Sequence, residues 1–235
     1  MFDAGITVPA GPLLPCRGNL CYADTPEGRN REHAILHADR CVAVNPSDTA
    51  PAMIALDARF VIGRRQGVRV VDAEDYFIGP DTDITRLHVL QPGELLTSIR
   101  IPSTWAGGRF YFGKIRDRNV WDFPLLNVAS AMAISGNRID RIRIAVNAAA
   151  ARPLRLTTVE GAVRGMPPND ATGEMAGNLA VQGAVPLQFN AYKIPLMRNP
   201  VVSRQSQCLD PPPRGAHGSV SRGGDSQVAA HLERA

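Results

Sequence analysis

The stretch FYFGKIRDRNVWDFPLLNVASAMAIS, residues 110–135, carries the strongest pattern in this chain. Its first residues are aromatic and β-forming, which predicts a strand that ends where the charges begin. Four charges then fall within the five positions 114–118, and two aromatic residues flank Asp122 a little further on. The apolar run at 124–134 predicts a second strand over 125–135, and the small side chains of this strand indicate that it is buried.

The charged cluster at 114–118 has two interpretations. It is either a solvated loop that joins two core strands or the polar edge of a ligand cleft, because buried charges need partners or a charged ligand. The residue pattern alone favours the loop, since charge runs between strands usually face water. The first interpretation places water beside the cluster, and the second places a ligand there.

The size and composition are those of an ordinary globular protein, with 235 residues, of which 44% are hydrophobic and 20% charged. The net charge of +4 is dispersed among acids, which argues against a nucleic-acid-binding protein. No apolar run approaches the roughly 20 residues that span a bilayer, and the N-terminus lacks the basic start of a signal peptide. We therefore expect a cytoplasmic protein that binds neither nucleic acid nor membranes.

Three of the four cysteines, Cys16, Cys21 and Cys41, fall near the N-terminus, and Cys208 stands far from them. Clustered cysteines in a reducing compartment more often hold a metal or react than form disulfides. The spacing of the first two is not CxxC, however, and three thiolates are one short of the usual cluster set. From the residues alone, buried or unreactive thiols are the favoured interpretation, and a metal site is the alternative.

The turn NPSD at 45–48 follows a predicted buried strand at 40–44 and precedes a helix predicted over 49–60. Ser47 or Asp48 is a natural N-cap for this helix. Backbone N–H groups in such a turn can also hold an anion or a polar ligand. Capping is the commoner role for the aspartate, and ligand binding is the alternative.

Alternating and apolar patterns predict further strands at 59–62, 67–71, 87–90, 95–101 and 138–146. Apolar residues at helical spacing predict two helices, at 152–163 and 171–181. From residue 200 onward the chain is polar and rich in Pro, Gly, Ser and Arg, which predicts disorder because it offers little apolar surface to bury.

Six blocks, taken in order, are more specific together than any one alone. They are GRNREHAIL at 28–36, CVAVNPSD at 41–48, LDA at 56–58, PGELLTSIRIP at 92–102, KIRDR at 114–118 and NAYKI at 190–194. In this order the chain resembles the FAD-binding (medium) subunit of the xanthine dehydrogenase, aldehyde oxidoreductase and carbon monoxide dehydrogenase family, over roughly residues 16–199. The similarity is greatest to the bacterial aldehyde-oxidoreductase-type branch.

The resemblance implies an α+β fold. It predicts a second FAD-binding lobe of the PCMH type, with a mixed or antiparallel sheet and helices, over 31–103, after an irregular segment at 1–30. A C-terminal α+β domain of the carbon monoxide dehydrogenase flavoprotein type is expected over 104–199, followed by a disordered tail at 200–235. The first lobe, whose glycine-rich loop grips the FAD pyrophosphate, is expected to be missing. The tail resembles the product of a shifted reading frame.

The resemblance also implies a flavin site. Asp48 would hydrogen-bond the ribityl chain or the ring edge, Leu95 would place its backbone against the ring, and Lys114 would bring a cation beside it. Asp122 is a further candidate nearby. The physical logic agrees, since a charged cluster beside a buried strand and opposite a helix-capping turn makes a polar-lined crevice for a planar cofactor.

The three N-terminal cysteines, Cys16, Cys21 and Cys41, fall where aldehyde-oxidoreductase-type members hold an extra [4Fe-4S] cluster. The resemblance therefore implies a metal site at these positions, and it implies FAD as the cofactor. No residue of this chain is assigned to substrate chemistry, because that chemistry belongs to a molybdenum-containing partner.

The implied function is an oxidoreductase subunit that passes electrons from iron–sulfur centres through FAD to an acceptor. The expected partners are a molybdenum-cofactor large subunit and a [2Fe-2S] small subunit in a heterotrimer. The alternative is a truncated, non-catalytic interaction module or remnant that does not hold FAD. The flavin hypothesis requires Asp48 and Lys114 to lie on the same crevice.

Overall fold

A computed structural model describes residues 21–25, 27–38 and 41–207. Cys16, most of the predicted irregular segment and the tail beyond residue 207 therefore lie outside the described residues. The described part contains two antiparallel sheets and several helices, so the predicted α+β class is confirmed. None of the helices in these ranges combines the length and the apolar character needed to cross a membrane.

The first sheet has three strands in the order β2-β1-β3. Its strands are β1 (Arg59–Arg64), β2 (Gly67–Asp72) and β3 (Leu95–Arg100). Helix α1 (Ala50–Ala55) precedes the sheet, and the single turn α2 (Ala73–Tyr76) follows β2. Phe60 and Tyr76 meet edge to face, with ring centroids 4.6 Å apart, and so join the sheet to α2.

The second sheet has four strands in the order β4-β5-β6-β7. They are β4 (Arg109–Ile115), β5 (Leu126–Ser135), β6 (Arg138–Asn147) and β7 (Leu154–Arg155). Three helices follow in the chain, α3 (Thr157–Val163), α4 (Asp170–Ala180) and α5 (Lys193–Gln207).

The two faces of the second sheet have different side chains because strand residues alternate in direction. One face carries the large apolar residues of β5 and β6, such as Met132 and Ile144, and forms the main core with α3, α4 and α5. The other face is built largely from alanines, including Ala129 and Ala145. These small side chains let α1 approach, and Ile54 of that helix is 1% exposed, a burial worth about 1.5–3 kcal/mol.

Several predicted elements have different limits in the structure. The helix predicted over 49–60 ends at Ala55, because Asp57 adopts a left-handed backbone conformation (φ 59°) that turns the chain into β1. The strand predicted at 87–90 is reduced to one bridge between Phe77 and His88. The described residues at 41–44 do not form a strand.

The boundary predicted at residue 200 lies inside a helix. Helix α5 continues through Pro200 to Gln207, past the predicted limit, and the disorder predicted for the tail stays a prediction. Val201 explains the difference, because its side chain is 1% exposed and belongs to the main core. The predicted domain limits at 31, 104 and 199 stay predictions.

Candidate functional site

A row of three polar side chains crosses the alanine-rich face of the second sheet. The strand register pairs Lys114 of β4 with Asn127 of β5, and Asn127 with Asn147 of β6. Paired residues in an antiparallel sheet point to the same face, so these three side chains form one line, here called the polar row. Both asparagines are fully buried.

The NPSD turn lies on the polar row. The Lys114 Nζ atom donates to Asp48 Oδ2 at 2.6 Å and to the backbone carbonyl of Asp122 at 2.5 Å. The lysine side chain is 18% exposed and that of Asp48 is 45% exposed, so the ion pair stands at the edge of solvent. The two residues are 66 positions apart in the chain. The structure therefore brings the two side chains into contact at one place on the surface, which the flavin hypothesis treats as the crevice for the ring and which is here called the Lys114 crevice.

The two asparagines hold the backbone of the same turn. Asn147 Nδ2 donates to the Ser47 carbonyl at 2.7 Å, and Asn127 Nδ2 lies 3.4 Å from it and 3.3 Å from Asp48 Oδ1. Asn45 Oδ1 accepts from the Ser47 N–H at 2.9 Å, which closes the turn on itself. The sheet therefore holds the turn through Asn127 and Asn147, and the side chain of Asn45 holds it from within.

Asp48 does not cap α1. The backbone N–H of Ala50 donates to Ser47 Oγ at 3.2 Å, so the serine hydroxyl satisfies this end of the helix. The carboxylate of Asp48 is left to face Lys114 and Asn127. Of the two roles open to the aspartate in the sequence, the structure therefore excludes capping.

The charged stretch forms a loop after β4, and Asp122 organises it. Its carboxylate accepts from the backbone N–H groups of Arg118 at 2.7 Å and Asp117 at 3.0 Å. The N–H of Arg118 is the main reason that the pKa of Asp122 lies below its usual range. Trp121 sits at the tip with φ 55° and a 94% exposed side chain. The cluster is therefore a solvated loop that also closes one side of the Lys114 crevice.

Two aromatic side chains extend the crevice along β4. Phe110 and Phe112 point to the same face as Lys114 because they precede it at two-residue spacing, and each is about half exposed. Their partners on β5 are Ala131 and Ala129, which do not cover them. A cation thus stands at the end of an accessible apolar strip, a surface suited to a flat ligand with one polar edge.

Three of the four predicted cofactor-binding residues come together, namely Asp48, Lys114 and Asp122. Leu95 does not lie on the polar row, since it begins β3 of the first sheet and is exposed. Asn127 and Asn147 were missed because they sit in apolar strands. The available signal was the asparagine itself, since a polar group in a buried strand requires a partner.

The two described cysteines are free thiols. Cys41 is buried, and burial raises the pKa of its thiol, with a smaller contribution in the same direction from Cys21. Within the described ranges no group of three metal-binding side chains converges, and Cys16 lies outside them. The cluster stays a prediction.

Two family matches cover most of the chain. Residues 16–104 match the FAD binding domain in molybdopterin dehydrogenase, and residues 111–199 match the CO dehydrogenase flavoprotein C-terminal domain. Among solved structures, the fold is similar to carbon monoxide dehydrogenase from Hydrogenophaga pseudoflava, with a TM-score of 0.59 and 25% identity. That similarity covers 82% of this chain and 67% of the other.

Two similar proteins are named as an FAD-binding subunit and as a medium chain. The aldehyde oxidoreductase FAD-binding subunit PaoB of Escherichia coli is 31% identical over 154 residues, which is 65% of this chain and 46% of that protein. The glyceraldehyde dehydrogenase medium chain of Sulfolobus acidocaldarius is 34% identical over 124 residues, which is 53% of this chain and 42% of that protein. The chain therefore spans less than half the length of either relative.

Proposed function

Because the chain belongs to the family of FAD-binding medium subunits of molybdenum-containing hydroxylases, we propose that it is an electron-transfer subunit that carries FAD. The observation that carries this proposal is the 2.6 Å ion pair between Lys114 and Asp48 on the polar row. FAD, when bound, supplies the redox chemistry, and the chain supplies binding, orientation and charge.

The residues of the crevice fit the polar edge of a flavin. Lys114 brings a positive charge, which favours the added negative charge that reduction gives to a ring beside it. Asp48 has lone pairs left to accept hydrogen bonds from ribityl hydroxyls, since each of its oxygens has one protein partner. Asp122 fixes the loop and offers its backbone carbonyl to the lysine. Leu95 would contribute through its backbone only.

The partners and the route of the electrons are part of the proposal. A medium chain is by name one of several chains, and the family implies a molybdenum-cofactor large subunit and a [2Fe-2S] small subunit in the cytoplasm. Cys16, Cys21 and Cys41 are proposed to hold a [4Fe-4S] cluster with a fourth ligand from elsewhere. Iron and acid-labile sulfide in the purified protein would support the cluster, and their absence after anaerobic reconstitution would exclude it.

Flavin uptake by the full chain tests the central proposal. The purified protein is incubated with FAD, separated from free cofactor and examined for the yellow flavin absorption and for quenching of flavin fluorescence. We expect bound FAD in the wild type and weaker binding when Lys114 is replaced by methionine. Protein that stays colourless after incubation with FAD would defeat the proposal and favour a module that holds no flavin.

A further inference from the structure

The two asparagines of the polar row each have one buried atom without a partner. Among the described residues, Asn127 Oδ1 and Asn147 Oδ1 are shielded from solvent and accept no hydrogen bond. Both side chains belong to residues that are 0% exposed. Buried polar atoms are nearly always paired in folded proteins, so two orphans in one row need an explanation.

The orientation of both amides is fixed by their neighbours. The Ser47 carbonyl and the Asp48 carboxylate can only accept hydrogen bonds, so the Nδ2 atoms must face them. The two Oδ1 atoms are consequently turned away from the turn. Exchanging oxygen and nitrogen would satisfy neither amide, because it would bring acceptors against acceptors.

This arrangement is costly for stability. A buried acceptor without a donor has lost its hydrogen bonds to water and gained none in return, and the row contains two such acceptors. In return, Asn127 makes only long contacts, 3.3 Å to Asp48 and 3.4 Å to Ser47. An apolar residue at position 127 would avoid the cost and would lose only these two long hydrogen bonds. Stability therefore does not explain why an amide stands there.

We propose that Asn127 and Asn147 are positioning residues of the flavin site, an inference that rests on the proposed function. Their amide nitrogens hold the Ser47 carbonyl and the Asp48 carboxylate, and the strand register keeps both amides in line with Lys114. The sheet thus sets where the aspartate stands relative to the lysine. Their unpartnered oxygens are the stability cost of keeping that geometry.

The test replaces Asn127 by valine, which suits a strand and has no polar side-chain atom. We expect the midpoint of thermal unfolding to stay the same or to rise, because one orphan acceptor is removed. We expect FAD binding to weaken by about tenfold or more, the equivalent of one positioning hydrogen bond. The midpoint potential of the bound flavin should shift as well, because the charges beside the ring are no longer held in place.

Asn190 provides the matched control. It is also 0% exposed, but its amide is fully used, since it accepts from Leu187 N at 2.6 Å and donates to the carbonyls of His33 and Ala34 at 3.1 Å. Asn190→Val should lower the unfolding midpoint and leave FAD affinity per folded molecule unchanged. Asn127→Val should therefore weaken FAD binding without lowering the unfolding midpoint, whereas Asn190→Val should lower the unfolding midpoint without weakening FAD binding.

A second variant, Asn127→Ser, is smaller and removes the concern that valine disturbs the packing; it should weaken FAD binding in the same direction. If the wild type binds FAD and both variants bind it equally well with an unchanged potential, the positioning role is wrong and the proposed function stands. If the wild type takes up no FAD, the proposed function fails, and the positioning role fails with it.

Discussion

The two ends of α1 are joined to the second sheet in different ways. At its C-terminal end Arg143 of β6 donates to Asp57 at 2.7 Å, to Glu74 at 3.2 Å and to the Ile54 carbonyl at 3.0 Å. Arg155 of β7 adds a further bond to Glu74. We call this the closed junction, because every carboxylate and guanidinium named here has a partner.

The N-terminal end is the open junction, formed by the polar row and the NPSD turn. Here the cation is a lysine, the carboxylate of Asp48 is half exposed, and two amide oxygens are unpartnered among the described residues. The chain has only two lysines among its 26 basic residues. The comparison shows that one end of the helix is held by fully paired charges, whereas at the other end two buried amide oxygens have no partner among the described residues.

The largest expected effect concerns pH and comes from a buried lysine that belongs to neither junction. Beyond the open junction, Lys193 is fully buried and donates to the carbonyls of Glu32, His33 and Ala148, and burial lowers its pKa to about 7. Between pH 7 and its ordinary pKa of 10.5, the unfolded chain binds a proton that the folded chain has lost. The free energy of unfolding should therefore rise with pH, by at most about 1.4 kcal/mol per pH unit.

Urea unfolding at several pH values in this window measures that slope. Arginines stay charged throughout, so the closed junction contributes nothing to it. Lys193→Met should remove this rise and leave the opposite contribution of Cys41, whose raised pKa lowers the free energy of unfolding as the pH passes the ordinary thiol value of 9.0. The same slope in that variant would show that the lysine does not release its proton on folding.

The second effect is the loss of Arg143. Arg143→Met leaves Asp57 and Glu74 without this partner, and these carboxylates are partly exposed, so we expect a loss of about 2–3 kcal/mol in unfolding free energy. FAD affinity per folded molecule should not change. Arg138→Met on the same strand removes an exposed arginine and is the control. A large loss of flavin affinity in Arg143→Met would contradict the division between the junctions.

The third effect is expected at the open junction, where FAD affinity should change and stability should not. Lys114→Met keeps the length of the side chain and removes its charge, so FAD affinity should fall by about tenfold or more. Its ion-pair partner is half exposed, so stability should change by less than about 1 kcal/mol. Fluorescence titration with FAD and thermal unfolding measure the two quantities. Arg116→Met, an exposed residue two positions along the chain, should alter neither.

The smallest effect concerns the residue that follows the polar row. Ala148 is fully buried and has φ 61°, a left-handed conformation that costs a residue with a Cβ atom about 1–2 kcal/mol. Ala148→Gly relieves this strain but loses a buried methyl group worth about 0.8 kcal/mol. We expect a net gain of about 0.5 kcal/mol, measured by urea unfolding. Destabilisation would show that the methyl group outweighs the strain.

The sequence was sufficient for the α+β class and for bringing Asp48, Lys114 and Asp122 to one crevice. The ordered blocks of residues identified the family, and the family supplied the long-range pairing. Residue patterns alone could not pair Asp48 with Lys114, because local patterns carry no information about a contact across 66 positions.

The polar row could not be predicted, because it exists only through strand register. Asn127 and Asn147 are separated by a hairpin, and a shift of one residue would turn either side chain to the opposite face. The capping role of Ser47 was equally open, because serine and aspartate both suit an N-cap. In each case tertiary contacts decided between local options of similar energy.

The two tryptophans give the molecule a pair of built-in optical reporters. Trp105 is 3% exposed and lies under the guanidinium of Arg141, 4.5 Å from its ring centroid, whereas Trp121 projects into water from the loop. A soluble quencher should therefore extinguish the emission of one indole and spare the other. Changes at the Lys114 crevice can then be followed through the emission of Trp121. The emission of Trp105 reports whether the buried part of the fold around it has stayed intact.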